Sequence, residues 1–287
     1  PTTLSMVEIG QPPQKLKSMP AFFEANGMIT EQQFATSKDG TRVPYFIVRS
    51  KFLPLDGSTP TLLWGYGGFE VSYTATYNSM AGRGWLQNGG VFVLANIRGG
   101  GEYGPRWHQA ALKANRHKAY EDFAAVAEDL FARKITSPAR LGAQGGSNGG
   151  LLMGNMIVQY PQLFGAVVCQ VPLLDMKRYS HLLAGASWMA EYGDPDTKDW
   201  EFIKTFSPYH LLKEDTTYPP VLFTTSTRDD RVHPGHARKM MAKMEAMNAD
   251  VRYYENIEGG HGGAANNQQE AHMRALAYTF LWQQLRK

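Results

Sequence analysis

Residues 145–149 of the chain read GGSNG, a G-x-S-x-G pattern centred on Ser147. A short extended run precedes the pattern at residues 141–144, and an apolar segment suited to a buried helix follows it at residues 151–158. A sharp turn between strand and helix strains the backbone, so the flanking residues must be small, and glycine meets that need. Such a turn exposes the serine hydroxyl as a nucleophile and directs the Asn148 N–H toward a developing oxyanion. The alternative is a glycine-rich turn with an incidental serine, because short motifs give false positives.

Two later loops carry the other groups that a serine nucleophile needs. A serine hydroxyl is a weak nucleophile, and it requires a base that is itself oriented by a carboxylate. A predicted strand at residues 221–225 leads into a loop with Asp229 and Asp230, and one at residues 251–254 leads into a glycine-rich loop with His261. The order serine, acid, histidine is typical of hydrolases built on an α/β sheet. These residues alone leave Asp229 and Asp230 as equal candidates for the acid.

Two further patterns are weaker candidates for chemistry. His233 and His236 could form a metal pair, but no other ligand cluster accompanies them, so we expect no metal. Residues 99–104 fit G-x-G-x-x-G after a predicted strand, and Glu121 lies at a suitable distance for a ribose-binding acid. However, no apolar helix follows these glycines, and they come after the second parallel-type strand instead of the first. We therefore expect no dinucleotide cofactor.

The composition excludes several classes of protein. The chain has 287 residues, 43% of them hydrophobic, which suits one α/β domain with a large core. The net charge of +3 is spread along the chain, which argues against nucleic acid as the main partner. No apolar run reaches membrane-spanning length, so no membrane association is expected. Cys169 is the only cysteine, which rules out an intrachain disulfide and fits a cytoplasmic location.

Predicted strands and helices alternate from residue 61 onward. The expected order is strand 61–64, strand 91–97, helix 119–135, the Ser147 turn, strand 166–171, strand 221–225, helix 236–247, strand 251–254 and helix 267–286. This alternation predicts an α/β fold with a mostly parallel central sheet and helices on both faces. A hairpin at residues 33–36 and 43–48 precedes it, turning at Asp39 and Gly40. Residues 1–30 are expected to form an N-terminal extension, with one strand at residues 1–9, outside a domain of residues 31–287.

Five motifs, taken in order, resemble the catalytic domain of the prolyl oligopeptidase family of serine peptidases. They are residues 65–69 (GYGGF), 98–104 (RGGGEYG), 145–150 (GGSNGG), 229–232 (DDRV) and 260–262 (GHG). The resemblance runs from about residue 30 to the C-terminus and implies an α/β-hydrolase fold. It implies Ser147 as the nucleophile, His261 as the base and Asp229, in preference to Asp230, as the orienting acid.

The resemblance also implies an oxyanion hole and a substrate pocket. The Tyr66 hydroxyl would be the second oxyanion donor beside the Asn148 N–H, and Trp188 would stack on a substrate proline. The remaining implied pocket residues are Phe69, Tyr192 and Val232, with Arg231 binding a substrate backbone carbonyl. Without the resemblance, core packing would be the simplest role for Trp188 and Phe69. Glu191 is next to the pocket, and related oligopeptidases with a basic P1 preference use acidic residues nearby, so the P1 preference stays open.

The expected function is that of a serine peptidase that cleaves short peptides, after proline, through an acyl-enzyme. A carboxylesterase acting on short acyl esters would use the same triad on the same fold, so it stays as an alternative. A third reading is a non-catalytic binding module with a decayed site. The intact set of Ser147, Asp229 and His261 argues against that reading.

Members of the family carry a β-propeller ahead of the hydrolase domain, where it screens substrates by size. This chain contains no such domain, and residues 1–9 resemble the last strand of one, so residues 1–30 are expected to be a remnant of a propeller. A catalytic domain without its cover should hydrolyse activated esters more readily than proline amides, because water is no longer excluded. Its exposed apolar patch should favour self-association.

Overall fold

The computed structural model describes all residues, Pro1 to Lys287, and is built around an eight-stranded sheet. The strands are β1 Thr3–Met6, β2 Gln14–Ser18, β3 Met28–Thr36, β4 Arg42–Ser50, β5 Thr61–Gly65, β6 Val91–Ala95, β7 Leu141–Gly146, β8 Ala166–Gln170, β9 Val221–Ser226 and β10 Val251–Asn256. The helices are α1 Ser79–Gly84, α2 Pro105–Gln109, α3 His117–Ala132, α4 Asn148–Gln159, α5 Met189–Tyr192, α6 Trp200–Ile203, α7 Pro208–Leu211, α8 Gly235–Ala246 and α9 Asn267–Leu285.

The strand order is β10-β9-β8-β7-β5-β6-β4-β3. All strands from β10 to β6 in that order run parallel. At the far edge, β4 pairs antiparallel with β6, and β3 pairs antiparallel with β4. The predicted mostly parallel sheet is therefore confirmed. The carboxyl ends of the parallel strands all meet at one edge, where open α/β sheets bind their ligands.

The sheet separates two apolar cores, as expected when helices cover both faces. Along β8, Val167 and Cys169 pack into the larger core, whereas Val168 packs into the smaller one. The larger core contains apolar residues of α3, α4 and α8, and the smaller contains those of α9. Alternate residues of a strand point to opposite faces, so β5, β8 and β9 each contribute to both cores.

Element boundaries differ from the prediction by a few residues for local reasons. Helix α3 ends at Ala132, three residues before the predicted end. The φ of Lys134 is 57°, which is incompatible with a right-handed helix, so the helix cannot extend to residue 135. Helix α9 begins as predicted, because the Asn266 side chain accepts a hydrogen bond of 3.0 Å from the Gln269 N–H. None of the helices has the length and apolarity required to cross a lipid bilayer.

The N-terminal part of the chain differs more from the prediction. Strand β3 begins at Met28, five residues before the predicted hairpin, and pairs with β4 along all nine residues. Residues 1–9 hold only the short strand β1, which pairs with β2 and with no strand of the main sheet. Both strands are exposed along their whole length. The division between residues 30 and 31 stays a prediction, and β3 crosses it.

Candidate active site

Ser147 lies at the sharp turn between β7 and α4. Its φ of 60° is in the left-handed region, which non-glycine residues rarely adopt and which is costly enough to mark functional sites. The turn also requires glycine beside it: a Cβ atom on Gly145 would lie 2.5 Å from the Gly149 carbonyl oxygen and 2.9 Å from that of Gly65. The backbone of β5 therefore approaches the turn more closely than any side chain would permit. This packing holds the Ser147 hydroxyl at the carboxyl edge of the sheet.

Ser147, His261 and Asp229 form a continuous chain of hydrogen bonds. The Ser147 Oγ is 3.0 Å from His261 Nε2, and His261 Nδ1 is 2.8 Å from the Asp229 Oδ2. An ionised carboxylate only accepts hydrogen bonds, so Nδ1 carries the proton and Nε2 is free to accept one from the serine. Asp230 is exposed and has no hydrogen bond to His261. The geometry thus distinguishes the two aspartates that the sequence left as equals.

The loop after β9 fixes the orientation of the Asp229 carboxylate. The backbone N–H groups of Arg231 and Val232 donate to Asp229 Oδ1 at 3.0 and 2.9 Å. The Val232 side chain is buried, and the Arg231 side chain is exposed to solvent. These two residues, expected in the substrate pocket, therefore also hold the carboxylate that orients His261.

Tyr66, in the loop after β5, and Asn148, at the start of α4, both adjoin Ser147. Tyr66 follows β5 and lines the same cavity as Ser147 and His261. Burial raises the pKa of Tyr66 above its usual value, against the opposing charges of Arg116 and Arg231, so its hydroxyl keeps its proton at neutral pH. Asn148 is the first residue of α4, and its N–H is one of those without a partner inside the helix. Both groups can donate a hydrogen bond to an oxyanion.

A cavity of about 260 Å³ opens beside Ser147 and His261. Its wall is formed partly by Trp64 and Tyr73 and, from helix α9, by Met273, Glu270 and Arg274. The same Trp64, Tyr73 and Arg274 also border a larger, mainly apolar cavity of about 700 Å³. None of the expected pocket residues Phe69, Trp188 and Val232 lines the smaller cavity, which therefore lies apart from them.

Two of the expected pocket residues, Phe69 and Tyr192, form a wall on the Asn148 side of the serine. The rings of Phe69 and Tyr192 meet edge to face, with centroids 5.6 Å apart. Tyr192 is fully buried, and its hydroxyl donates to Asn148 Oδ1 at 2.7 Å, so it supports the wall from behind. Trp188 keeps 9% of its surface exposed. The Ala184 N–H donates to the Arg231 carbonyl oxygen at 3.3 Å, which ties the tryptophan segment to the Asp229 loop.

Two buried charged residues form part of this wall, and one of them, Arg116, has no functional role predicted from the sequence. Glu191 accepts hydrogen bonds from Arg116 at 2.6 Å, from the Phe69 N–H at 3.0 Å and from His108 at 2.7 Å. Both of its oxygens are engaged within the protein, and its side chain is only 4% exposed. Arg116 precedes an amphipathic helix, where an arginine is ordinary, so only the fold shows that it reaches the site.

The weaker sequence patterns have structural roles. His236 is fully buried and accepts backbone N–H bonds from Leu174 and Asp175, and burial lowers its pKa to about 4. His233 accepts a separate bond of 2.9 Å from the Gly235 N–H. In the glycine run, a Cβ on Gly99 would lie 2.4 Å from the Gly67 carbonyl oxygen. Those glycines thus allow two loops to pack backbone against backbone.

Comparisons with known proteins identify the family of the chain. Residues 77–287 match the family model described as the prolyl oligopeptidase family. An uncharacterized peptidase of Sinorhizobium fredii is 54% identical over 95% of this chain and 38% of its own length. A prolyl endopeptidase of Elizabethkingia miricola is 39% identical over 86% of this chain and 36% of its own length.

A solved structure leads to the same assignment. A post-proline cleaving enzyme from Rickettsia typhi superposes with a TM-score of 0.93 at 42% identity, covering 99% of this chain and 41% of that one. The chain thus spans about two fifths of the length of the proteins that it matches. The expected α/β-hydrolase fold is confirmed, and the chain belongs to the prolyl oligopeptidase family of serine peptidases.

Proposed function

We propose that this chain carries the catalytic machinery of a serine peptidase that cleaves short peptides after proline. The observation that carries the proposal is the hydrogen-bonded chain from Ser147 Oγ through His261 to Asp229, at 3.0 and 2.8 Å. The names of two relatives, a prolyl endopeptidase and a post-proline cleaving enzyme, support the substrate class. Short peptides are therefore the proposed partners.

In the proposed reaction, Ser147 Oγ attacks the carbonyl carbon of the scissile bond while its proton passes to His261 Nε2. The carbonyl oxygen becomes an oxyanion, which the Asn148 N–H and the Tyr66 hydroxyl stabilise. The C–N bond then breaks as His261 donates its proton to the leaving nitrogen, which leaves an ester on Ser147. Water, deprotonated by His261, cleaves this ester and releases the acid. Asp229 stays ionised and stabilises the imidazolium in both halves.

The two sides of Ser147 would hold different parts of the substrate. The acyl wall, formed by Phe69, Trp188, Tyr192 and Val232 with Arg231 at its edge, would receive the proline. The leaving nitrogen must lie near His261 Nε2, because it takes its proton from there. We therefore assign the 260 Å³ cavity beside His261 to the leaving group and call it the leaving-group cavity.

Kinetics with a matched panel of substrates would test the proposal. The panel consists of one short amide with proline, alanine or arginine at P1, together with a short acyl ester. We expect kcat/KM for the proline amide to exceed that for the other two amides at least tenfold, on the scale of one well-fitted apolar contact. Turnover of the ester alone would contradict the proposal and favour the carboxylesterase alternative, which the peptidase names of the relatives disfavour.

Self-association also belongs to the proposal. The strands β1 and β2 and the segment between them expose Leu4, Met6, Val7, Ile9 and Leu16. An apolar patch of this kind favours contact with a second copy of the chain. Sedimentation should therefore give a mass above the 32.0 kDa of one chain, and a monomer at high concentration would contradict it. The cytoplasmic location stays a proposal that cell fractionation would test.

A further inference from the structure

The guanidinium of Arg116 lies buried between the loops that carry the two proposed oxyanion donors. Its side chain is 1% exposed. One nitrogen donates to Glu191 Oε1 at 2.6 Å, and the other donates to the Gly67 carbonyl oxygen at 3.0 Å and to Asn148 Oδ1. It also lies 5.2 Å from the centre of the Tyr192 ring. Arg116 is therefore in contact with three separate segments of the site.

Two of these contacts are to residues that adjoin the groups of the proposed reaction. Gly67 directly follows Tyr66, and Asn148 directly follows Ser147. The Asn148 side chain closes the arrangement, because its Nδ2 donates to the Tyr66 carbonyl oxygen at 2.7 Å. Gly68 packs directly against this amide, since a Cβ there would lie 2.5 Å from Asn148 Nδ2. One guanidinium and one amide thus link the two segments that carry the proposed oxyanion donors.

Glu191 extends the same network to the acyl wall. Its carboxylate is 4% exposed and accepts a bond of 3.0 Å from the Phe69 N–H. Phe69 has a φ of 56°, an uncommon conformation that needs support from its surroundings. An ion pair this deeply buried gives little net stability compared with apolar residues of similar volume. The pair is therefore better explained by the positions in which it holds the neighbouring segments than by a contribution to stability.

We infer that the Arg116–Glu191 pair is a positioning device that sets the separation of the Tyr66 hydroxyl and the Asn148 N–H. Neither residue touches the substrate in this scheme. The inference rests on the proposed function, because it assumes that an oxyanion forms beside Ser147. The donors stabilise charge that develops in the transition state and is absent from the bound substrate. Loss of the pair should therefore lower kcat and leave substrate affinity nearly unchanged.

The test is the double variant Arg116→Met/Glu191→Gln, which removes both charges at once. We expect its melting temperature to stay within several degrees of wild type, since no unpaired charge is left buried. Its kcat should fall roughly 10- to 100-fold, on the scale of weakening one oxyanion donor. In the Ser147→Ala background, the Kd of an uncleaved proline peptide should change less than about threefold, as expected when ground-state binding is retained.

A second readout reports the oxyanion hole directly. A peptide aldehyde with a terminal proline analogue adds to Ser147: Oγ bonds to the aldehyde carbon, the hydroxyl proton passes to His261, and the carbonyl oxygen becomes the oxyanion. Its affinity should fall by the same factor as kcat/KM. An aldehyde affinity and a kcat both within threefold of wild type would overturn the inference. An equal weakening of the uncleaved peptide would also overturn it, because that result places the pair in substrate binding.

Two further variants keep the test decisive. Arg116→Lys retains the charge beside Glu191, but one ammonium cannot reproduce the two-nitrogen fork that joins Glu191 to Gly67 and Asn148. We therefore expect kcat to fall even if the double variant does not fold. Asp175→Asn/Lys239→Gln removes another ion pair with a buried carboxylate, away from Ser147, and should leave kcat unchanged. All assays include the short acyl ester, whose hydrolysis forms the same oxyanion. Failure of proline cleavage therefore stays distinguishable from failure of this inference.

Discussion

The two sides of Ser147 are built in different ways. On the acyl side, Arg116, Glu191 and Tyr192 are almost completely buried and linked by hydrogen bonds through Asn148. On the other side, the leaving-group cavity is bordered by Arg274 and Glu270, whose side chains are 40% and 33% exposed and make one ion pair of 2.7 Å. The structure is thus rigid where an oxyanion would develop and open where products would leave.

This difference follows from what each side has to do in the proposed reaction. Donors that stabilise developing charge are effective only if they are placed before the reaction, because moving them during it would cost energy. A leaving peptide varies in sequence and must diffuse away, so tight binding of it would add little to kcat. The comparison therefore predicts large effects on kcat from the acyl side and small, substrate-dependent effects from the cavity side.

Removing the proposed nucleophile should abolish turnover, whichever side of Ser147 limits the reaction. We expect Ser147→Ala to lower kcat/KM at least about 10⁴-fold for amide and ester alike, because triad members act as a unit. The fold should persist, since alanine is smaller than serine at the same backbone position. Activity assays together with thermal unfolding would measure both effects.

A matched control is Ser226→Ala, which removes a fully buried hydroxyl without a hydrogen-bond partner at the end of the neighbouring strand β9. It should leave turnover near that of wild type. If Ser147→Ala instead kept more than a tenth of the rate, Ser147 would not be the nucleophile.

Loss of one oxyanion donor should have the next largest effect. We expect Tyr66→Phe to lower kcat roughly 10- to 1,000-fold with little change in KM, because the hydroxyl meets charge that exists only in the transition state. Burial raises the Tyr66 pKa, so the hydroxyl is protonated at neutral pH and this deficit should be constant from about pH 6 to 9. An effect confined to KM would place Tyr66 in substrate binding and weaken the contrast between the two sides.

On the acyl wall, a milder change should affect selectivity. Trp188→Phe keeps an aromatic ring in a largely buried site, so the fold should tolerate it. We expect the proline-to-alanine ratio of kcat/KM to fall up to about tenfold, since an aromatic stacking contact is worth roughly 0.5–1.5 kcal/mol. Hydrolysis of the short ester, which lacks proline, is the internal control. A uniform loss on every substrate would indicate that Trp188 serves packing alone.

The sequence pointed to one part of the candidate site more directly than to the rest. The triad residues stand in loops that follow strands, and strand positions follow from apolar patterning, so Ser147 and His261 could be located from the sequence alone. The choice of Asp229 over Asp230 needed a family resemblance. The backbone path of the loop decides which of two adjacent aspartates faces His261, and the sequence alone does not show that path. The backbone N–H groups of Arg231 and Val232 make that distinction in the folded chain.

The Arg116 network could not be predicted from the sequence, because its members come from distant parts of the chain. Arg116 and Glu191 are 75 residues apart, and Arg116 and Asn148 are 32 apart. No periodicity or short motif links such positions, and burial of an arginine is uncommon enough that it is not a sequence-based expectation. The sequence did not indicate the residues that border the leaving-group cavity for a similar reason, since Arg274 lies within an ordinary helix pattern.

The smallest expected effect concerns the leaving-group cavity. Arg274 donates through Nε to Glu270 at 2.7 Å, which leaves its two terminal nitrogens available at the cavity border. We expect it to favour leaving peptides that end in a free carboxylate. Arg274→Gln should therefore reduce the acid-to-amide ratio of kcat/KM at most about fivefold, because half-exposed ion pairs are worth roughly 0.2–1 kcal/mol. Two proline substrates that differ only in a free or amidated C-terminus would measure it.

Arg133→Gln is the matched control for this last variant. Arg133 also donates through Nε to a carboxylate four residues earlier at 2.7 Å, and its side chain is 39% exposed, but it does not border the cavity. A lowered ratio in both variants would point to the net charge of the protein, because long-range attraction sums over all of its charges. If the ratio falls in Arg274→Gln alone, and variant and wild type have equal ratios in about 1 M salt, the effect lies at the cavity. Salt at that concentration screens a half-exposed contact. An unchanged ratio would mean that the open side of Ser147 places no charge requirement on the leaving group.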